Sequence, residues 1–164
     1  MDLQNLVADY ASKAEHGAVI NMAALAGNEE FRQEVIEGIL KYLEKHQGAC
    51  VLLPSYGIVD NRNSHLCALT NELAAKIAIK TLVTGHAEAI TELRKIPEDV
   101  IIIKQAFRTG EHLAKDVETL KSHGCNVGVL CLIAHSGAHL QNFGHQYDVE
   151  ISALAQVDEI RYLQ

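Results

Sequence analysis

A short polar stretch ending Arg108-Thr109-Gly110 lies between the apolar run Val100–Ile103 and a segment, Glu111 to His123, patterned as a helix. Those three residue types suit an anion. Backbone N–H groups at a helix start point outward, and the helix dipole favours negative charge there. Gly110 lets the backbone approach closely, Thr109 offers a hydroxyl and Arg108 a positive charge. The expected chemistry is phosphate binding by Arg108, Thr109, Gly110 and the N–H groups entering at Glu111. A plainer reading stays open on these residues alone: a turn with a threonine cap, in which Arg108 pairs with Glu111 on the surface. Lys104, a few residues earlier, adds a second positive charge that favours phosphate over Mg²⁺.

Three other groups can be weighed in the same way. His135, His139 and His145 cluster in HSGAHLQNFGH. A helix would stack His135 and His139 on one face, a pair suited to Zn²⁺ or Ni²⁺. No HExxH motif is present, and Gly137 weakens a helix there. The favoured reading is loop histidines at the mouth of a sheet, with His135 lining a pocket and no metal assigned. Ser55, in Pro54-Ser55-Tyr56-Gly57, sits at a strand end but lacks the G-x-S-x-G turn of a hydrolase nucleophile. Cys50, Cys67, Cys125 and Cys131 form no CxxC pair and lie in apolar stretches, as reduced core cysteines do.

The elements that must position these residues alternate along the chain. Leu3 to Ala14 reads as a helix and Ala18 to Leu25 as a short strand. Asn28 is suited to cap a helix that opens with Glu29 and Glu30, carries Phe31, Val35, Ile36, Ile39, Leu40 and Leu43, runs to about His46 and stops at Gly48. Ala49–Pro54 is apolar on both faces, as in a parallel sheet covered on both sides. A turn-rich stretch follows from Ser55 to Asn63, then a helix with Leu66, Leu69, Leu73 and Ile77 inside. Thr81–Thr84 reads as a strand, His86–Lys95 as a helix, Val100–Ile103 as a buried strand and Lys104–Gly110 as a loop. The Glu111–His123 helix stops at Gly124, and Val127–Ala134 is another buried strand. Val149–Leu154 and Asp158–Leu163 close the chain as a strand and a helical turn. The prediction is a single α/β domain over residues 1–164. Its mainly parallel sheet is flanked by helices, with Cys50–Leu53, Val100–Ile103 and Val127–Ile133 as neighbours.

Composition narrows the function. The chain has 164 residues and a formal net charge of −7, so its surface repels nucleic-acid backbones. No apolar run reaches membrane-spanning length. The opening MDLQNLVADY lacks the basic and apolar blocks of a signal peptide. The expectation is a cytoplasmic protein with neither nucleic-acid nor membrane partners.

The stretch VIIIKQAFRTGEHLAKDVETLKSHGCNVGVLCLIA, from Val100 to Ala134, resembles the signature of the type I phosphoribosyltransferases, most closely the orotate branch. The resemblance covers nearly the whole chain at low identity. It includes Leu53-Pro-Ser-Tyr-Gly57, where the family has a pyrophosphate-binding turn. It implies a phosphoribosyltransferase-like fold, a 5-phosphate held by the loop ending at Gly110, and a pocket of Ser55, Tyr56, Gly57, Lys104, Gln105 and His135. It also implies a homodimer, which light scattering in solution checks.

The motif departs from the family's pattern at the acids. The two carboxylates that hold the ribose hydroxyls fall on Lys104 and Gln105, the first loop threonine on Arg108 and the second glycine on Glu111. Losing both carboxylates removes the ribose anchors and much of the negative field that favours a cation-like transition state. The resulting expectation is a pseudoenzyme with no catalytic residue and no cofactor, binding a phosphorylated small molecule or nucleotide. Two alternatives stand beside it: an active orotate-type transferase with a remodelled ribose site and Mg²⁺, and a structural or interaction protein. Lys80 to Pro97 fills the place of the family's long basic closing hairpin, and its pattern is helical instead.

Overall fold

The computed structural model describes residues 3–14, 17–20, 27–54, 81–107, 110–134 and 137–156, with backbone only at 8–14, 17–20 and 106. Helix α1 (Leu3–Tyr10) leads into an antiparallel hairpin of β1 (Ala11–Ala14) and β2 (Gly17–Ile20). Then follow α2 (Glu29–Glu44), β3 (Cys50–Pro54), β4 (Leu82–Gly85), α3 (Ala87–Thr91), β5 (Asp99–Phe107), α4 (Glu111–Ser122), β6 (Asn126–Ala134), α5 (Gly137–Tyr147) and β7 (Glu150–Gln156). The last five strands form one parallel sheet in the order β4-β3-β5-β6-β7.

Alternation along the strands builds two cores. Val51 and Leu53 of β3, Ile101 and Ile103 of β5, and Leu130 of β6 face Val7 of α1 and Phe31, Val35, Ile36 and Ile39 of α2. Cys50, Leu52, Val100, Ile102 and Val129 face Ala87 and Ile90 of α3, Leu113, Val117 and Leu120 of α4, and Leu140 and Phe143 of α5. Both faces of the central strands are therefore dry, which is why their sequences read as unbroken apolar runs. Asn28 caps α2, its side chain accepting the Phe31 N–H at 2.8 Å. Gly48 and Gly124 take left-handed φ angles of 86° and 83° just past α2 and α4, as the sequence predicts.

The predicted parallel neighbours β3, β5 and β6 stand side by side. Several boundaries differ. The first helix stops at Tyr10 rather than Ala14, because residues 11–14 pair with 17–20. Strand pairing there outweighs a weak helical preference. The strand expected at 18–25 is thus part of a separate hairpin, and residues 21–26 lie outside the described set. The helix expected at 86–95 is only the five residues of α3. The expected loop from Lys104 does not start there: β5 continues to Phe107, paired with β6 through Lys104–Cys131, Ala106–Ile133 and Phe107–Ala134. The histidine region after β6 is helical over Gly137–Tyr147 rather than a loop. The predicted helix at Leu66–Ile77 and the closing turn after Asp158 lie outside the described residues. Among the described residues no helix is long and apolar enough to cross a membrane.

Candidate ligand edge of the sheet

In a parallel sheet every strand ends on the same edge, and ligands of open α/β folds bind outside those carboxyl ends. Here the chain leaves β3 after Pro54, β5 after Phe107 and β6 after Ala134, three adjacent strands. Ser55, Tyr56, Gly57, Arg108, Thr109 and His135 lie outside the described residues. Lys104, Gln105, Gly110 and Glu111 lie within them.

Lys104 and Gln105 are half-buried near the end of β5. The Lys104 ammonium stands 5.7 Å from the centroid of the Phe107 ring, within cation–π range. Burial lowers its pKa, while Cys131, its neighbour across to β6, and Asp116 of α4 act in the opposite direction. Phe107 meets Phe143 edge-on at 5.5 Å, and Phe143 packs on Tyr147 at 4.5 Å.

Gly110 is buried at the start of α4 with φ 74° and ψ 16°. Its carbonyl accepts the Ala114 N–H at 2.8 Å, and as the N-cap residue it brings no side chain to the first turn. A Cβ here would sit 2.8 Å from both the Phe107 and Phe143 rings. The sequence explains this glycine by a close ligand approach. In the structure, left-handed backbone and two aromatic rings require it. Glu111 is exposed just beyond, where the helix dipole favours it.

The sequence reading missed Asp116. It interrupts the apolar stripe of Leu113, Val117 and Leu120, and an acid on an inner helical face was the available signal. Asp116 is only 3% exposed and accepts the Ala87 N–H at 3.0 Å, tying α4 to the start of α3. It also borders a cleft of about 260 Å³ between these helices, with His86, Glu88, His112 and Lys115. The cleft opens beside the end of β4, on the same edge as Gly110. His139 and His145 are both exposed on α5, and six residues of helix separate them by about 600° of rotation, onto different faces. Among the described residues no three potential ligands gather around a metal position.

No protein-family model and no curated protein matches this sequence. Solved structures do match its fold. Orotate phosphoribosyltransferase from Aeropyrum pernix is 16% identical, with a TM-score of 0.63 over 94% of this chain and 93% of that one. The APRTase from Giardia lamblia, complexed with 9-deazaadenine, is 10% identical with a TM-score of 0.68 over 96% and 99%. A phosphoribosyltransferase from Corynebacterium diphtheriae is 13% identical with a TM-score of 0.63 over 98% and 95%. The chain has the type I phosphoribosyltransferase fold. In a phosphoribosyltransferase-like sheet, the edge bearing Lys104, Gln105 and Gly110 is also the edge at which α/β folds of this kind take ligands. At these levels of identity the likeness establishes the fold, and chemistry has to be argued from the residues themselves.

Proposed function

We propose that this phosphoribosyltransferase-like chain binds a phosphorylated small molecule or nucleotide at the carboxyl edge of its sheet and does not transfer the phosphoribosyl group. The observation that carries this reading is the end of β5. Lys104 and Gln105 occupy the positions that the resemblance assigns to two ribose-binding carboxylates, and Lys104 holds its amine over Phe107 beside the α4 start. The first turn of α4 opens at a glycine, which supplies no capping side chain of its own, so its N–H groups suit an anion. An ammonium nearby adds to that preference and offers nothing to Mg²⁺, which takes oxygen ligands. Loss of preorganised carboxylates is expensive for catalysis, about 3 kcal/mol for a single such group.

Calorimetry with inorganic phosphate and nucleoside monophosphates tests the binding. Millimolar or tighter affinity is expected, and Arg108→Ala should weaken it about tenfold, since a charge-assisted hydrogen bond is worth roughly 1.5–3 kcal/mol. Absence of binding at millimolar concentration would favour the interaction-protein reading. Turnover of orotate with Mg²⁺ and phosphoribosyl pyrophosphate would favour the active transferase.

A further inference from the structure

The register of β5 turns Lys104 toward a helix as well as toward the strand ends. Val100 and Ile102 pack on the face that carries α3 and α4. Lys104 continues that alternation, paired with Cys131 of β6, which belongs to the same core. On α4 stands Asp116, 3% exposed and the one charged side chain buried among the described residues.

A buried carboxylate has to be matched by hydrogen bonds and by positive charge. One hydrogen bond comes from the Ala87 N–H at 3.0 Å. Positive charge comes from Lys104. Burial disfavours its ammonium, Cys131 and Asp116 favour it, and Lys104 in turn acts on the Cys131 thiol. Lys115, His86 and His112 share the cleft beside Asp116, but they are exposed, so water screens them. Lys104 is half-buried, where charge counts for more.

The same ammonium also stands near the helix start. It lies over the Phe107 ring, 5.7 Å from the centroid, and the edge of that ring is 2.8 Å from a Cβ built at Gly110. Asp116 lies about 8 Å along the helix axis from Glu111, the first residue of α4. An anion on the first-turn N–H groups would sit beyond Glu111. An ammonium that hydrogen-bonds two anions at once holds their oxygens within about 6 Å of each other. Lys104 can therefore serve Asp116 or an anion at the first turn, and not both.

We propose that Asp116 is an autoinhibitory contact for this edge. Its carboxylate holds the Lys104 ammonium back along α4 in the unliganded protein, and a phosphate binds by drawing that ammonium forward to the helix start. The inference rests on the phosphate reading above and adds its regulation: affinity is set from within α4, by a residue that does not touch the ligand. By reciprocity, phosphate weakens the hold of Asp116 on Lys104 by the same factor.

Inorganic phosphate is the probe, with the full chain at pH 8. Asp116→Asn keeps the shape and an oxygen for the Ala87 N–H but removes the charge. It should tighten phosphate about fivefold or more by calorimetry, where a merely structural role would leave the affinity unchanged or weaken it. In Lys104→Met the same substitution should gain less, because no ammonium remains to be released. Without ligand, competitive acetylation with peptide mapping should show Lys104 reacting several-fold faster in Asp116→Asn, since loss of the acid favours the neutral amine. An unchanged Lys104 rate, or an equal gain in both backgrounds, would overturn the proposal. So would wild-type binding that Asp116→Asn leaves unchanged or weakens. Binding by neither protein overturns the phosphate reading itself, and this inference with it.

Discussion

Gly110 and Gly124 flank the same helix with nearly the same left-handed backbone, at φ 74° and 83°, yet they carry different loads. Nothing lies within 4 Å of a Cβ built at Gly124, whereas at Gly110 two phenyl rings lie 2.8 Å away. Gly124→Ala should therefore cost only the backbone term, about 1–2 kcal/mol. Gly110→Ala should cost that and a further 1–3 kcal/mol or so of overpacking. Urea denaturation of the two variants checks the difference, and equal losses would contradict the ring contact. Gly124 was legible in the sequence as a helix stop, because that role depends on the chain nearby. The reason for Gly110 was not, since Phe143 lies 33 positions further along and only the packed α5 brings it back. Lys104 was legible as a charge but not as a half-buried one, because its burial follows from the extension of β5 beyond the apolar run.

At the scale of elements, α3 shows how a weak segment is held. Five residues make too short a helix to persist by themselves. Ala87 and Ile90 are fully buried, and His86 at the N-cap makes no side-chain capping bond. The cap comes instead from a different helix, through Asp116 and the Ala87 N–H. Asp116→Ala should lower stability by about 2 kcal/mol, the cost of a buried hydrogen bond to a charged group. It should also speed hydrogen exchange at the amides that follow Ala87 more than at those of α4. Uniform acceleration would place the loss elsewhere. The strands β3, β5 and β6 were readable because burial on both faces imposes apolar runs, and α2 and α4 because their stripes repeat along a helical face. The hairpin of β1 and β2 was not readable. Its four-residue strands are too short for period-2 alternation to compete with the helical stripe before them.

Taken whole, the molecule is a parallel sheet between two helical layers, and its buried thiols and part-buried Tyr42 make it sensitive to alkali. Burial raises Cys50 to about 11, Cys131 to about 12 and Tyr42 to about 12. A group whose folded pKa lies above its unfolded value supports the fold fully below the unfolded pKa and loses that support as pH rises through the folded one. For the thiols the loss starts near pH 9 and for the tyrosine near pH 10, and both extend to about 12. Lys104 acts the other way, because its lowered pKa favours the fold once pH exceeds its ordinary value of 10.5. Burial pushes the Cys125 thiol up as well, so four groups against one predict a falling urea midpoint between pH 9 and 12, and a flat profile would show that these side chains are hydrated in the native state. A last consequence follows from how the layers close. The Gln4 side chain accepts the backbone N–H of Gln156 at 2.8 Å and donates to the carbonyl of the same residue, joining α1 to β7 across 152 positions. A contact so distant along the chain carries one of the largest loop-closure costs in the fold. On the ribosome, α1 must wait for β7, whose Gln156 is made 152 residues after Gln4. Until then Val7 and the β6 side chains it shares a core with stay open to chaperones, so α1 works less as a seed for folding than as its closing latch.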